Sequence, residues 1–182
     1  MENASNSAVV ANAEPQFVTI RIGIGLEGEG EMNGQHGETQ TRLFTLGFGV
    51  LYLVVGILGF VPALRTAPPF GAPHLDAGAG YGYLFGLFPI NDLHNVVHIL
   101  IGIFGIALSA KFSAARLYCR TLFVVFGVLT FLGFLPQADV LFGLVPIFSN
   151  DTWLNAVSAI VVAYFGYVAT EPTRMEGAHE AA

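Results

Sequence analysis

Four apolar runs constrain this chain more than any other feature. Leu43 to Leu64 carries no charge. Leu93 to Ala110 is interrupted only by His94, Asn95, His98 and Ser109. Leu117 to Leu135 has a single charge, Arg120, near its start. Trp153 to Ala169 is again uncharged. A membrane-spanning helix needs about 20 mainly apolar residues, with a range of about 17 to 25, and all four runs fit. A bilayer admits only helices and closed barrels. These unbroken runs read as helices, because barrel strands alternate polar and apolar residues. Composition agrees: 54% of residues are hydrophobic and 11% are charged, against about 25% charged in a soluble domain. Such hydrophobicity also excludes disorder for the body of the chain.

The net charge of −6 resolves by region. Residues 1–42 carry −4 and residues 171–182 carry −2, so the body is neutral. An acidic chain of this kind argues against a nucleic-acid partner. The domain reading follows: a flexible acidic tail over residues 1–41, a four-span membrane domain over 42–170, and a C-terminal tail over 171–182. With four spans, both termini and the middle loop share one side. That side carries Arg21, Arg42, Lys111, Arg116, Arg120 and Arg174, and the other carries Arg65 alone. The bias predicts cytoplasmic termini. Arg42, Lys111, Arg116 and Arg120 are the expected cytoplasmic anchors, set to meet anionic headgroups. No basic start followed by an early apolar run marks a signal peptide.

The two halves of the body resemble each other. Arg42-Leu43 aligns with Arg116-Leu117, and without a gap Gly59-Phe60 then meets Gly133-Phe134. Leu84-Phe85-Gly86-Leu87-Phe88-Pro89-Ile90 returns as Leu141-Phe142-Gly143-Leu144-Val145-Pro146-Ile147, six identities in seven. The offset falls from 74 to 57 because the first outer loop is 17 residues longer. The expected fold is an all-α, four-helix membrane bundle of two tandem two-helix repeats, residues 42–110 and 116–169. Two spans per repeat keep both in the same orientation, with a pseudo-twofold axis along the membrane normal.

One cluster of the body's polar residues lies near the outer loops. Its members are Asn91, Asp92, His94, Asn95 and His98 in the first repeat, and Asp151 and Asn155 in the second. Offset 57 aligns His94 with Asp151 and His98 with Asn155. Pro89 followed by Asn91 or Asp92 as N-cap marks a helix start. His94 and His98, four residues apart, then share one face. Polar side chains in spans usually face the bundle interior. The bland reading is that they hydrogen-bond across the bundle and fix its register. The sharper readings are a transition metal on His94 and His98, an axial ligand for a tetrapyrrole, or a proton or small-solute site.

Other features are weaker. Gly23-Ile24-Gly25-Leu26-Glu27-Gly28 matches G-x-G-x-x-G, but Gly- and Glu-rich sequence and then a span follow it, not a βαβ unit. Trp153, Tyr81, Tyr83 and Tyr118 lie near span ends, as in an aromatic belt. Cys119 is the lone cysteine, which removes any internal disulfide and any Cys-x-x-Cys redox or zinc site.

At Gly86-Leu87-Phe88-Pro89-Ile90-Asn91-Asp92-Leu93-His94-Asn95-Val96-Val97-His98 the chain resembles a family of bacterial four-span membrane proteins catalogued as a domain of unknown function. The resemblance runs from about residue 42 to 170 and rests on a G-L-F-P-x-N-x-x-H-N-x-x-H core with a looser second copy. It implies four spans and importance for Asn91, His94, Asn95 and His98. The second copy has Asn155 where a further His is expected. The leading expectation is a non-enzymatic membrane protein of structural or accessory type, partnered by lipid, by other membrane subunits or by itself. The alternative is a ligand-binding or transport module using the polar cluster. The expected location is the bacterial plasma membrane, or the thylakoid of a photosynthetic source.

Overall fold

The computed structural model describes residues 26–169 apart from 137 and 139, with side chains from residue 35 onward. Within them the chain is mostly helical. The helices are α1 (Leu26–Leu58), α2 (Asp92–Leu108), α3 (Phe112–Gly133), the short α4 (Leu141–Leu144) and α5 (Asn150–Ala163), which continues as a π-helical turn at Tyr164–Val168. Two stretches, Gln35–Leu58 and Phe112–Gly133, are long and apolar enough to cross a membrane. The second and fourth apolar runs form shorter helices, of 17 and 14 residues. Helix α1 starts at Leu26, so residues 26–41, read from sequence as part of a flexible tail, are helical. The rest of that tail, the start of the Gly23 motif and the C-terminal tail lie outside the described residues.

Helix α1 packs chiefly on α2, and α3 chiefly on α5. Close approach between α1 and α2 depends on missing side chains. A Cβ at Gly102 would stand 2.5 Å from the Leu53 amide nitrogen, and one at Gly49 would stand 2.7 Å from that of Ile106. Small residues let backbones meet in this way, so that van der Waals packing of one helix on the other is close. Between α1 and α3 lies the core of Tyr52, Tyr118, Cys119, Leu122 and Phe126, joined by Ala159 and Val162 of α5.

Counterpart positions meet in this core. Thr45 Oγ1 and Cys119 Sγ, 74 residues apart, lie 3.4 Å from each other. Tyr52 and Phe126, also 74 apart, bring their ring centroids to 5.7 Å. Two such meetings, seven residues apart on each helix, require α1 and α3 to run in parallel. Burial repeats as well. Those on α2 are His94, Asn95, Gly102 and Gly105, and their counterparts at offset 57, Asp151, Thr152, Ala159 and Val162, are buried on α5.

The long connection between α1 and α2 folds into a small antiparallel sheet of β1 (Arg65–Thr66), β2 (Gly82–Leu84) and β3 (Phe88–Ile90), in the order β1-β2-β3. Its β2–β3 turn places Phe85 and Gly86 at φ 53° and 73°. The counterparts Phe142 and Gly143 in α4 have φ 59° and 75°. Glycine adopts this left-handed geometry freely and phenylalanine does not. The left-handed Phe-Gly pair therefore recurs where the Leu-Phe-Gly-Leu sequence recurs, although Leu84 ends strand β2 while Leu141 also has a positive φ of 36°.

Candidate functional site: a buried polar cluster beside an apolar cavity

Asn91 fixes the start of α2. It is the N-cap, and its Oδ1 accepts the His94 amide hydrogen at 2.8 Å. Its Nδ2 donates to the carbonyls of Ala77 at 2.9 Å and Leu144 at 2.6 Å. One fully buried side chain thus starts a helix, holds the long α1–α2 connection and reaches the second half of the chain. Asp92 stays at the surface, where Arg65 Nη1 lies 3.4 Å from its Oδ1. That guanidinium also donates to the Gly80 carbonyl at 2.9 Å.

The cap puts His94 in the first turn of α2, and His98 follows one turn later on the same face. Their Nε2 atoms are 3.1 Å apart, a hydrogen bond whose direction depends on the tautomers. On the other side of the His94 ring, Nδ1 lies 3.7 Å from Asp151 Oδ2. That is ion-pair range but longer than a hydrogen bond. Accordingly His94 Nδ1, His98 Nδ1 and Asp151 Oδ2 are buried without a hydrogen-bond partner. Asn95 faces Gly59, where a Cβ would overlap its carboxamide. Its own Nδ2 and Oδ1 are buried and unpartnered. A similar approach occurs at the aligned positions of the second half: a Cβ at Gly133 would stand 2.6 Å from Oγ1 of Thr152, which aligns with Asn95. Asn155 is half-buried on α5, and among the described residues no hydrogen bond joins it to the cluster.

Beside the cluster lies a cavity of about 250 Å³ between α1, the β2–β3 turn and α5. Phe48, Tyr52, Val55, Phe85 and Phe88 supply much of its apolar wall, and His98, Asp151 and Ser158 its polar part. Tyr52 Oη and Ser158 Oγ are 3.2 Å apart, and the Tyr52 ring meets His98 edge-on at 5.0 Å. Sequence reasoning did not single out Tyr52 or Ser158. The available signal was a hydroxyl inside each of two uncharged apolar runs.

Among the described residues, no group of three or more His, Cys, Asp or Glu side chains is placed to hold a metal ion. What the histidines form is a pair whose Nε2 atoms face each other, with the carboxylate of Asp151 behind His94.

The basic residues gather at the opposite end of the bundle. Arg42 Nε donates to the Ser109 carbonyl at 3.1 Å. Arg116 and Arg120 both donate to the Gly166 carbonyl, at 3.2 and 2.8 Å. These cations satisfy carbonyls left free where α2 ends and α5 loosens into its π turn, the favourable end of a helix for positive charge. Arg120 also lies 4.8 Å over the Tyr167 ring, while Lys111 is exposed. Tyr118, expected in an aromatic belt, is buried instead and donates to the Ile101 carbonyl at 2.9 Å. Trp153 is exposed and stacks edge-on with Phe134.

The site and fold together define a predominantly helical protein with two apolar helices of membrane-spanning length. The chain belongs to the family described as Domain of unknown function (DUF4383), whose model matches residues 42–168. No curated protein matches the chain. No solved structure matches it either.

Proposed function

We propose that this chain is a four-span integral membrane protein of structural or accessory type, built from two tandem helical hairpins in the same orientation. The spans are α1, α2, α3 and α5 with its π turn, both termini are cytoplasmic, and the membrane is the bacterial plasma membrane or a thylakoid. One observation carries the reading. Each of these four helices turns large apolar side chains outward: Val50, Leu51 and Val54 on α1, Leu100, Ile103 and Phe104 on α2, Val124, Val128 and Phe131 on α3, Val157 and Ile160 on α5. A soluble monomer rarely exposes contiguous apolar surface beyond a few hundred Å², whereas lipid is the solvent such a surface needs. At about 1.5 Å per residue, α2 rises about 25 Å, which suits the short end of the spanning range.

The duplicated architecture is supported by the meeting of counterparts, Thr45 with Cys119 and Tyr52 with Phe126, and by the recurring left-handed turn. In this reading the His94–Asp151 pair and the Asn91 tethers join the two halves at the outer end, and the arginines close the inner end. Fractionation tests the membrane assignment. The chain should stay in the membrane pellet through an alkaline carbonate wash and leave it only with detergent; release by carbonate alone would contradict the assignment.

A further inference from the structure

We infer that Arg116 and Arg120 clamp the phosphate of one anionic phospholipid at the inner end of the bundle, with an acyl chain of that lipid laid along α3. The inference rests on the membrane reading above, which sets these residues at the inner leaflet. The two arginines are held together. Both Nε atoms donate to the same carbonyl, that of Gly166, at 3.2 and 2.8 Å, so the two guanidinium groups converge on one oxygen. Arg120 is also fixed over the Tyr167 ring, at 4.8 Å from its centroid. A Cβ at Gly166 would press to 3.1 Å from Arg120 Cγ, so the bare backbone there lets the Arg120 stem lie close.

Two cations brought together repel each other and favour an anion beside them. No carboxylate supplies it. Neither α3 nor the π turn contains an acid, and among the described residues neither arginine is in an ion pair. A guanidinium has five N–H donors, and among the described residues each arginine uses only its Nε. The Nη edges remain for a ligand, in the planar fork that grips phosphate oxygens in pairs. Both side chains are half-buried, where anionic headgroups draw cations to the membrane edge. The same face of α3 then selects a lipid over a free anion. Phe123 is exposed and stands edge-on to Tyr167 at 5.7 Å. Gly127 comes one turn later on that face, and nothing lies within 4 Å of a Cβ there. From Arg116 to Gly127 the helix rises about 16 Å, so two cations, an aromatic edge and open backbone follow one another as a headgroup and its chain do.

The test incubates the full chain in detergent with equal amounts of phosphatidylglycerol and phosphatidylcholine of the same chain length, and reads bound lipid by native mass spectrometry. Wild type should retain one phosphatidylglycerol, preferred over phosphatidylcholine by at least about tenfold, the weight of one charge-assisted hydrogen bond. Arg116→Gln combined with Arg120→Gln should hold the two lipids equally. Lys111→Gln, which removes an exposed cation of the same end, should leave the preference unchanged. Gly127→Leu, at an open position, should weaken phosphatidylglycerol with both arginines intact, and it keeps the test decisive if the double variant does not fold. Equal retention of the two lipids by wild type, equal losses in Lys111→Gln and the arginine variant, or unchanged retention in Gly127→Leu overturns the proposal. Displacement of the lipid by an equal concentration of inorganic phosphate would mark a site for a soluble anion and overturn the lipid assignment. A chain that withstands carbonate but shows no lipid preference contradicts the lipid site alone; a chain released by carbonate contradicts the membrane reading.

Discussion

His94 and Asp151 hold the same position in the two halves of the chain, and their side chains meet: Nδ1 of the histidine is 3.7 Å from Oδ2 of the aspartate, with both residues buried. Counterparts in a twofold arrangement meet only where they lie close to its axis. In the proposed duplicated architecture, that position carries a carboxyl opposite an imidazole, where identical residues would face like with like. The pair therefore faces α2 towards α5, and His98 extends the contact by one turn through its 3.1 Å approach to His94.

The first prediction concerns this link. His94→Leu and Asp151→Leu should each lower the unfolding free energy in detergent by about 1–3 kcal/mol, because each takes away the group that faces the other's buried polar atom at 3.7 Å, and His94→Leu also strips His98 Nε2 of its hydrogen bond. The double variant should recover part of that loss, since replacing both members of a buried pair with apolar groups is often close to neutral. A double-mutant cycle read by reversible unfolding gives the coupling. Strictly additive losses would mean that the two side chains do not act on each other.

Gly102 and Gly47 make a contrasting pair. A Cβ at Gly102 would enter the backbone of α1 at Leu53, while nothing lies within 4 Å of one at Gly47. Gly102→Ala should separate α1 from α2 and cost at least about 1–3 kcal/mol, the usual range for overpacking. Gly47→Ala should be neutral or stabilising by up to about 1 kcal/mol, from the lower backbone entropy of alanine. Thermal unfolding of both variants in the same detergent checks the contrast.

Asn91 should show graded behaviour. Asn91→Asp keeps an acceptor for the His94 amide but loses the donors to Ala77 and Leu144, whereas Asn91→Ala loses all three bonds. Loss of the cap alone costs about 0.5–2 kcal/mol, so alanine should be the more damaging. Hydrogen exchange gives a local readout: amides of the Asp76–Ala79 stretch should exchange faster in both variants. Those in the middle of α3 should be unaffected by Asn91→Asp.

Parts of this structure are legible in the residue order, and the physical reason is clear in each case. The i, i+4 spacing of His94 and His98, with a capping Asn just before, is local, and it places the two rings together as expected. The Leu-Phe-Gly-Leu recurrence marks a turn whose backbone angles do recur. Two of the apolar runs form helices of spanning length. Other features are not local. The start of α1 at Leu26 lies in a Gly- and Glu-rich stretch with no apolar periodicity to reveal it. The role of Tyr52 depends on α1 crossing His98 and Ser158, and nothing in the order of residues within α1 encodes that approach. Asn155 shows the limit of repeat alignment. Its counterpart His98 touches His94, but Asn155 forms no hydrogen bond with the cluster, because side-chain length and chemistry differ even where the backbone repeats.

The most direct measurement of the central claim is cysteine accessibility in intact cells. In a Cys119→Ser background, single cysteines replace Phe70 in the long loop, Phe142 in the shorter one and Ser113 in the first turn of α3; all three positions are exposed. A four-span bundle of two parallel hairpins predicts that a membrane-impermeant maleimide labels positions 70 and 142 from outside, and position 113 only after the cells are opened. Labelling of positions 70 and 142 from opposite sides, or of all three from the same side, would contradict it.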